Sequence, residues 1–270
     1  MPDTNIMPGL GFGTFGRTGD EGIAAITTAL ETGYRHLDTA QVYNTERENG
    51  EAIRRSGIAR NEIFVTTKID HSNFADGTLI PSLEKSLEAL QLDQVDLTLI
   101  HWPSPNGEIA PEVYLPQLAE AQQRGLTKHI GLSNFTIALI DKAEEILGPG
   151  TLLTNQVELN PFMQNRKLAD YCMKKDIRIT CYLPIAKGRL GDEPKLREIA
   201  ERHNATVEQV AVAWELARGY AAIPTSSKAE RIRSNFKALD LTLSPDDIEL
   251  IDTIDRGDRR INPDWGPDWD

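Results

Sequence analysis

The sequence carries only two cysteines, Cys172 and Cys181, and neither sits in a C-x-x-C pair. A disulfide framework is therefore not implied, and each thiol reads as a small buried hydrophobe. No apolar run approaches the roughly 18 residues of a membrane-spanning helix. The opening MPDTNIMPGL lacks the basic start and apolar core of a secretory leader. A reducing, cytoplasmic setting is expected. Basic residues are also in deficit: 29 Lys and Arg face 41 Asp and Glu, for a net charge of −12. That balance argues against nucleic acid, which needs a clustered basic surface, and against anionic membranes. It leaves room for a local basic pocket holding a small anion. The five histidines, His36, His71, His101, His129 and His203, show no ligand spacing such as H-x-x-x-H, so no metal site is expected.

What is present is alternation. Short apolar runs, "LGFGT", "YRHLDTA", "EIFVTTKI", "VDLTLIHW", "TKHIGLSN", "LLTNQVEL", "RITCYLPI" and "YAAIPTS", read as strands. Between them lie amphipathic stretches such as "DEGIAAITTALETG", "TLIPSLEKSLEALQ" and "KLREIAERHN" running on to "TVEQVAVAWELARG". Parallel strands covered on both faces produce this pattern. Eight units predict an α/β fold, a closed (β/α)8 TIM barrel, with an open doubly wound sheet as the competitor. All 270 residues are expected to form one domain, since no linker or composition shift divides them. "AERIRSNFKAL" supplies the last barrel helix, "SPDDIELIDTI" an extra C-terminal one, and "INPDWGPDWD" an irregular tail. Gly11, Gly13 and Gly16 spell the dinucleotide fingerprint G-x-G-x-x-G. That fingerprint needs a full strand before it and a helix opening on its third glycine, and neither is indicated here. A glycine-rich first barrel strand is the better reading.

Barrel chemistry is built from the carboxyl ends of strands. Those ends present Asp38 with Tyr43 in the following loop, then Lys68, His101, Ser133 with Asn134, Gln156, and Tyr182. Singly, each has an ordinary explanation: a structural ion pair, a satisfied core histidine. Together they are harder to dismiss, because burying an aspartate and a lysine costs several kcal/mol per ion. An ammonium about 4 Å from a phenolate, at an effective dielectric of about 20, attracts it by about 4 kcal/mol, or about three pKa units. Tyr43 beside Lys68 is thus expected to exchange a proton near neutral pH, with Asp38 keeping Lys68 charged. A neutral His101 would hold a substrate carbonyl. The set contains no nucleophile, so the missing reagent is best supplied as hydride from a cofactor.

"GFGTF", "LDTAQVY", "VTTKI", "LIHWP", "IGLSNF", "NQVELNP" and "IPTSS…RIRSN" together resemble the aldo-keto reductases, in order and across essentially the whole chain. "IPSLEKSLEAL", "DLTLIHWPSPN", "QNRK", "HNAT" and "PDWD" resemble its bacterial 2,5-diketo-D-gluconate reductase branch, especially the B type that also reduces methylglyoxal. The short N-terminus leaves little room for the leading hairpin of many relatives. The resemblance implies an NADP-dependent oxidoreductase, monomeric, acting on a small-molecule carbonyl. It implies Tyr43 as proton donor, Asp38 and Lys68 as its tuning pair, and His101 as the carbonyl-orienting group. Ser133, Asn134 and Gln156 would hold the nicotinamide carboxamide and Tyr182 would stack on its ring. Phe15, Trp102 and Asp70 would line the substrate pocket. Ser226, Ser227, Lys228, Arg231 and Asn235, around the start of the last barrel helix, would take the cofactor's phosphates. Three departures matter. Thr225 stands where most relatives have lysine and Ser234 where they have glutamate, which leaves NADH open beside NADPH. Leu183 replaces a serine that contacts pyrophosphate. Asp70 stands where near relatives carry tryptophan, and an acid there would repel an anionic sugar acid. Two alternatives remain: a non-catalytic, cofactor-binding regulatory barrel, and a Schiff-base lyase using Lys68.

Overall fold

The computed structural model describes residues 6–270; the leader reading falls partly on the first five, outside the described residues. Eight strands alternate with helices: β1 (Phe12–Gly13), α1 (Gly19–Thr32), β2 (His36–Asp38), α2 (Glu46–Ser56), β3 (Phe64–Ile69), α3 (Leu79–Leu90), β4 (Val95–Ile100) and α4 (Pro111–Gln123). There follow β5 (Thr127–Ser133), α5 (Ile137–Leu147), β6 (Leu152–Glu158), α6 (Arg166–Lys174), β7 (Arg178–Tyr182), α7 (Pro194–Arg202), α8 (Val207–Ala217), β8 (Ala221–Ala222), α9 (Ala229–Phe236) and α10 (Pro245–Asp252). Each strand pairs in parallel with the next in sequence. Leu10 bridges Ala222 in parallel, with Gly11 N donating to Ala222 O at 2.9 Å and Ala222 N to Gly9 O at 2.8 Å. The sheet therefore closes. The fold is the (β/α)8 barrel, and the open-sheet competitor is set aside.

The closing strands are shorter than their apolar runs suggest, two residues each. Pro224 lacks an amide to extend β8, and β1 is built from glycines for a steric reason. A Cβ on Gly11 would lie 2.6 Å from His36 Nδ1, and one on Gly13 would lie 2.8 Å from Ile223 O. Only hydrogen fits where β1 is pressed between β2 and β8. Gly11 and Gly13 of the decoy fingerprint thus serve closure, whereas Gly16 stands in open space with a left-handed φ of 73°. The amphipathic run before β8 also splits into α7 and α8. Asn204 takes a left-handed φ of 48°, and Thr206 opens α8 with a capping box to Gln209.

Strand periodicity sorts the core. Phe64, Thr66 and Lys68 alternate to one side of β3, while Val65, Thr67 and Ile69 face the other. Met7, Phe64, Leu97, Leu99 and Ala221 form a small separate cluster, while larger clusters pack strands against helices. Lys68, two pleats above Phe64, is left at the carboxyl end with its side chain fully buried.

Gly13→Ala should lower unfolding stability by about 1–3 kcal/mol, measured by urea denaturation. An unchanged midpoint would contradict the tight closure between β1 and β8.

Candidate active site

At the carboxyl end of β2 the chain turns through a short 3-10 segment, Gln41–Tyr43. Gln41 fixes that turn: its amide donates to Ser82 and Ser86 hydroxyls, and its oxygen accepts from Asp70 N and Asn73 Nδ2. Tyr43 is thereby swung back over the strand ends. Lys68 Nζ donates to Asp38 Oδ1 at 2.5 Å, to Thr39 O at 2.8 Å and to Tyr43 Oη at 3.4 Å. Gln156 Nε2 donates to the other Asp38 oxygen at 2.8 Å. Tyr43 packs edge-on against His101 and Phe15, with centroids 5.5 and 5.1 Å away. Asp38, Lys68, Tyr43 and His101 therefore form one cluster, as expected.

The electrostatics differ from the simple expectation. Burial drives the Tyr43 phenol above its ordinary pKa, and the Lys68 ammonium only partly offsets this. The reason is geometric: the ammonium is already neutralised by Asp38 at a shorter distance, and Asp38 itself opposes ionisation of the phenol. The expected net acidification is corrected accordingly. Tyr43 is a neutral phenol at neutral pH, one that holds a proton to give away. Burial pulls Lys68 down, yet Asp38 and Tyr43 prevail and its pKa stands above the usual value. Lys68 is a cation. Burial, reinforced by Lys68, lowers His101 to about 3, so its ring is a neutral imidazole.

These groups open into a cavity of about 380 Å³ lined by Phe15, Asp38, Tyr43, His101, Trp102, Ser133, Asn134, Gln156 and Tyr182. Asn134, in a left-handed conformation with φ of 62°, donates to His101 O and accepts from Tyr182 Oη at 2.9 Å. Ser133 Oγ donates to Gln156 O. The residues expected to hold a nicotinamide are thus gathered in the cavity that Tyr43 also lines. Val42, Leu183, Ile223 and Ile261 add apolar surface to the lining that was not anticipated from the sequence.

Asp70 requires correction, because it does not line this cavity. Its carboxylate accepts from Ser72 N at 3.1 Å and Ser72 Oγ at 2.6 Å, and meets His71 Nδ1 at 3.0 Å. An aspartate two residues before a serine caps its own turn. The tail's tryptophans dock instead: Trp265 stacks on His71 at 5.3 Å, and both Trp265 and Trp269 meet Trp102 edge-on.

A second cleft, of about 680 Å³, is lined by Thr225, Ser226, Ser227, Arg231, Ser234 and Asn235 around the start of α9. Arg17 and Lys187 join them from other loops and Glu208 from the first turn of α8, and Thr225 and Lys187 line both cavities. Lys228 is corrected: it is the exposed residue preceding α9 and is absent from the lining. Arg17 and Lys187 were missed because nothing in the local sequence marks a loop cation for a cleft formed by four separate segments. Thr225 Oγ1 and Arg17 Nε are both shielded from solvent without a hydrogen-bond partner. Two joined cavities, one apolar with amide-recognising groups and one with three cations and helix-start hydroxyls, suit an extended dinucleotide. No group of histidine, cysteine or acidic residues that could hold a metal occurs among the described residues.

The Aldo/keto reductase family profile matches residues 9–256. Methylglyoxal reductase DkgB of Escherichia coli O157:H7 is 45% identical over 265 residues, covering 98% of this chain and 99% of its own. Glyoxal reductase of Bacillus subtilis (strain 168) is 37% identical over 95% of this chain and 92% of its own. A crystal structure provisionally assigned as a 2,5-diketo-D-gluconic acid reductase B superposes with a TM-score of 0.93 at 34% identity, covering 98% of this chain and 94% of that one.

Burial lowers His36 to about 4 and His101 to about 3, from 6.5 in the open chain. Both rings should stay neutral at about pH 5 in a histidine NMR titration. The unfolded state then binds more protons than the folded one below 6.5, so these two groups make stability fall as pH drops through that range. A His101 resonance titrating at its ordinary value would contradict the buried site.

Proposed function

The chain belongs to the aldo/keto reductase family and is an oxidoreductase, and from that premise we propose that it reduces small aldehydes and ketones with NADPH. Methylglyoxal and related dicarbonyls are the favoured substrates, with 2,5-diketo-D-gluconate among the candidates. The observation that carries this reading is the buried Asp38–Lys68 pair lying against the Tyr43 hydroxyl beside a neutral His101.

When bound, the nicotinamide would supply hydride to the carbonyl carbon. The protein's own part concerns the oxygen. A carbonyl oxygen placed between Tyr43 Oη and the His101 ring meets two neutral hydrogen-bonding groups, and negative charge growing on it is answered by the proton of Tyr43. Lys68, fixed as a cation by Asp38, stabilises the phenolate left behind, so its contribution rises as the proton departs. Raised phenol acidity in the resting site is not required. Gln156, held by Asp38, ties the nicotinamide wall to the same ion pair. Arg231, Arg17 and Lys187, with Ser226, Ser227 and Asn235, would hold the cofactor's phosphates. Three cations in that cleft favour NADPH over NADH despite Thr225 and Ser234.

The lyase alternative needs a neutral Lys68, and its ion pair with Asp38 opposes that. The regulatory-barrel alternative predicts cofactor binding without turnover. Following NADPH absorbance with methylglyoxal separates these readings. Wild type should turn over, and Tyr43→Phe should lose about 10²–10⁴-fold in kcat with its cofactor Kd unchanged. Equal rates for the two would overturn the proposal.

A further inference from the structure

Beyond α10 the chain does not leave the barrel. Arg256 N and Asp258 N donate to Phe162 O, and the Arg256 guanidinium lies 4.0 Å from the Phe162 ring centroid. Arg259 Nη2 donates to Asn165 Oδ1, and Asn165 in turn donates to Glu158 O. The strap then meets the end of β6. There the Glu158 carboxylate accepts Arg260 N on both oxygens at 2.9 Å and Ile261 N at 2.8 Å. Ile261 is the strap residue that lines the carbonyl cavity. Past it, Trp269 bonds Asn262 and lies on Arg259, and Asp270 Oδ2 accepts Ile137 N at the start of α5.

Glu158 is conspicuous because it is fully buried and spends both oxygens on main-chain amides of a segment about 100 residues away. Burying a carboxylate costs several kcal/mol unless directed bonds repay it. Simple packing at the end of β6 would be served by an apolar residue. Amides of an irregular strap, in contrast, have no sheet partner and need an acceptor. Glu158 also follows Gln156 by two residues and is the register partner of Tyr182. The strand that presents the expected nicotinamide wall therefore also holds the strap that carries Ile261 into the cavity lining.

We propose that Glu158 is a specificity-determining positioning residue: its buried carboxylate clasps the Arg260 and Ile261 amides, holds Ile261 as a wall of the carbonyl cavity, and so restricts the site to small carbonyls. The substrate consequence rests on the reductase reading, whereas the clasp itself does not. Loosening it enlarges the cavity, weakening the fit of a small dicarbonyl while admitting a bulky aromatic aldehyde.

The test compares wild type with Glu158→Ala, Glu158→Gln and Arg260→Pro. The last removes the amide making two of the three contacts, from an exposed segment outside the barrel, and so guards against an alanine variant that fails to fold. Two readouts are taken on the full chain: the rate of chymotrypsin cleavage after Trp265 in the tail, and KM and kcat for methylglyoxal and a bulky aromatic aldehyde with NADPH. Glu158→Ala and Arg260→Pro should raise KM for methylglyoxal about tenfold with kcat little changed. They should shift relative kcat/KM toward the aromatic aldehyde, speed tail cleavage and leave cofactor Kd alone. Glu158→Gln, retaining one acceptor oxygen, should fall between them and wild type. A folded Glu158→Ala or Arg260→Pro with unchanged cleavage and unchanged KM overturns the proposal. If wild type lacks carbonyl turnover, the reductase reading fails, while tail cleavage still decides the clasp.

Discussion

A lysine with no solvent exposure, paired to an aspartate 1% exposed, is the constraint from which the site follows. Two ions in a barrel interior are tolerated only when each is held by more than the other. Lys68 gains Thr39 O and the Tyr43 hydroxyl, and Asp38 gains the Gln156 amide. Satisfying the pair thus recruits the loop after β2 and the strand β6 to one point. The same bonds that make the charges affordable place a phenol, a neutral imidazole and an amide wall around one cavity.

The phenol shows how geometry revises a charge argument. Coulomb's law applied to one ammonium and one phenol overstates the effect, since the ammonium is already paired at 2.5 Å and lies 3.4 Å from the phenol oxygen. Burial then favours the neutral form. A proton donor gains from remaining protonated until charge appears on its acceptor, and the cation is most useful afterwards. In the proposed reaction, differential stabilisation of the ionised phenol in the transition state, and not raised acidity beforehand, is what the arrangement would offer.

Much of this was legible in the chain. Continuous apolar runs such as VDLTLI and RITCY read as buried parallel strands because both faces are covered, and their carboxyl ends named Asp38, Lys68, His101 and Gln156. The glycines of β1 were legible as a strand, but the reason for them, His36 on one side and Ile223 on the other, is tertiary. Asp70 and Lys228 were misplaced because chain position alone does not say where a side chain points. In the first case, Ser72 two residues on could have signalled a self-capping turn. Arg17, Lys187 and Ile261 come from loops and a tail brought together only by closure of the barrel. Glu158 was passed over because a carboxylate two residues beyond Gln156 has no sequence feature announcing that backbone amides about 100 residues later will need it.

If Lys68 acts through Tyr43, removing either should already forfeit most of what the pair contributes. The direct test is kcat for Lys68→Met and Tyr43→Phe, singly and together, with folding and cofactor affinity checked for each. The account predicts a double variant scarcely slower than Tyr43→Phe alone. Losses that multiply, or a Lys68→Met enzyme as fast as wild type, would contradict it.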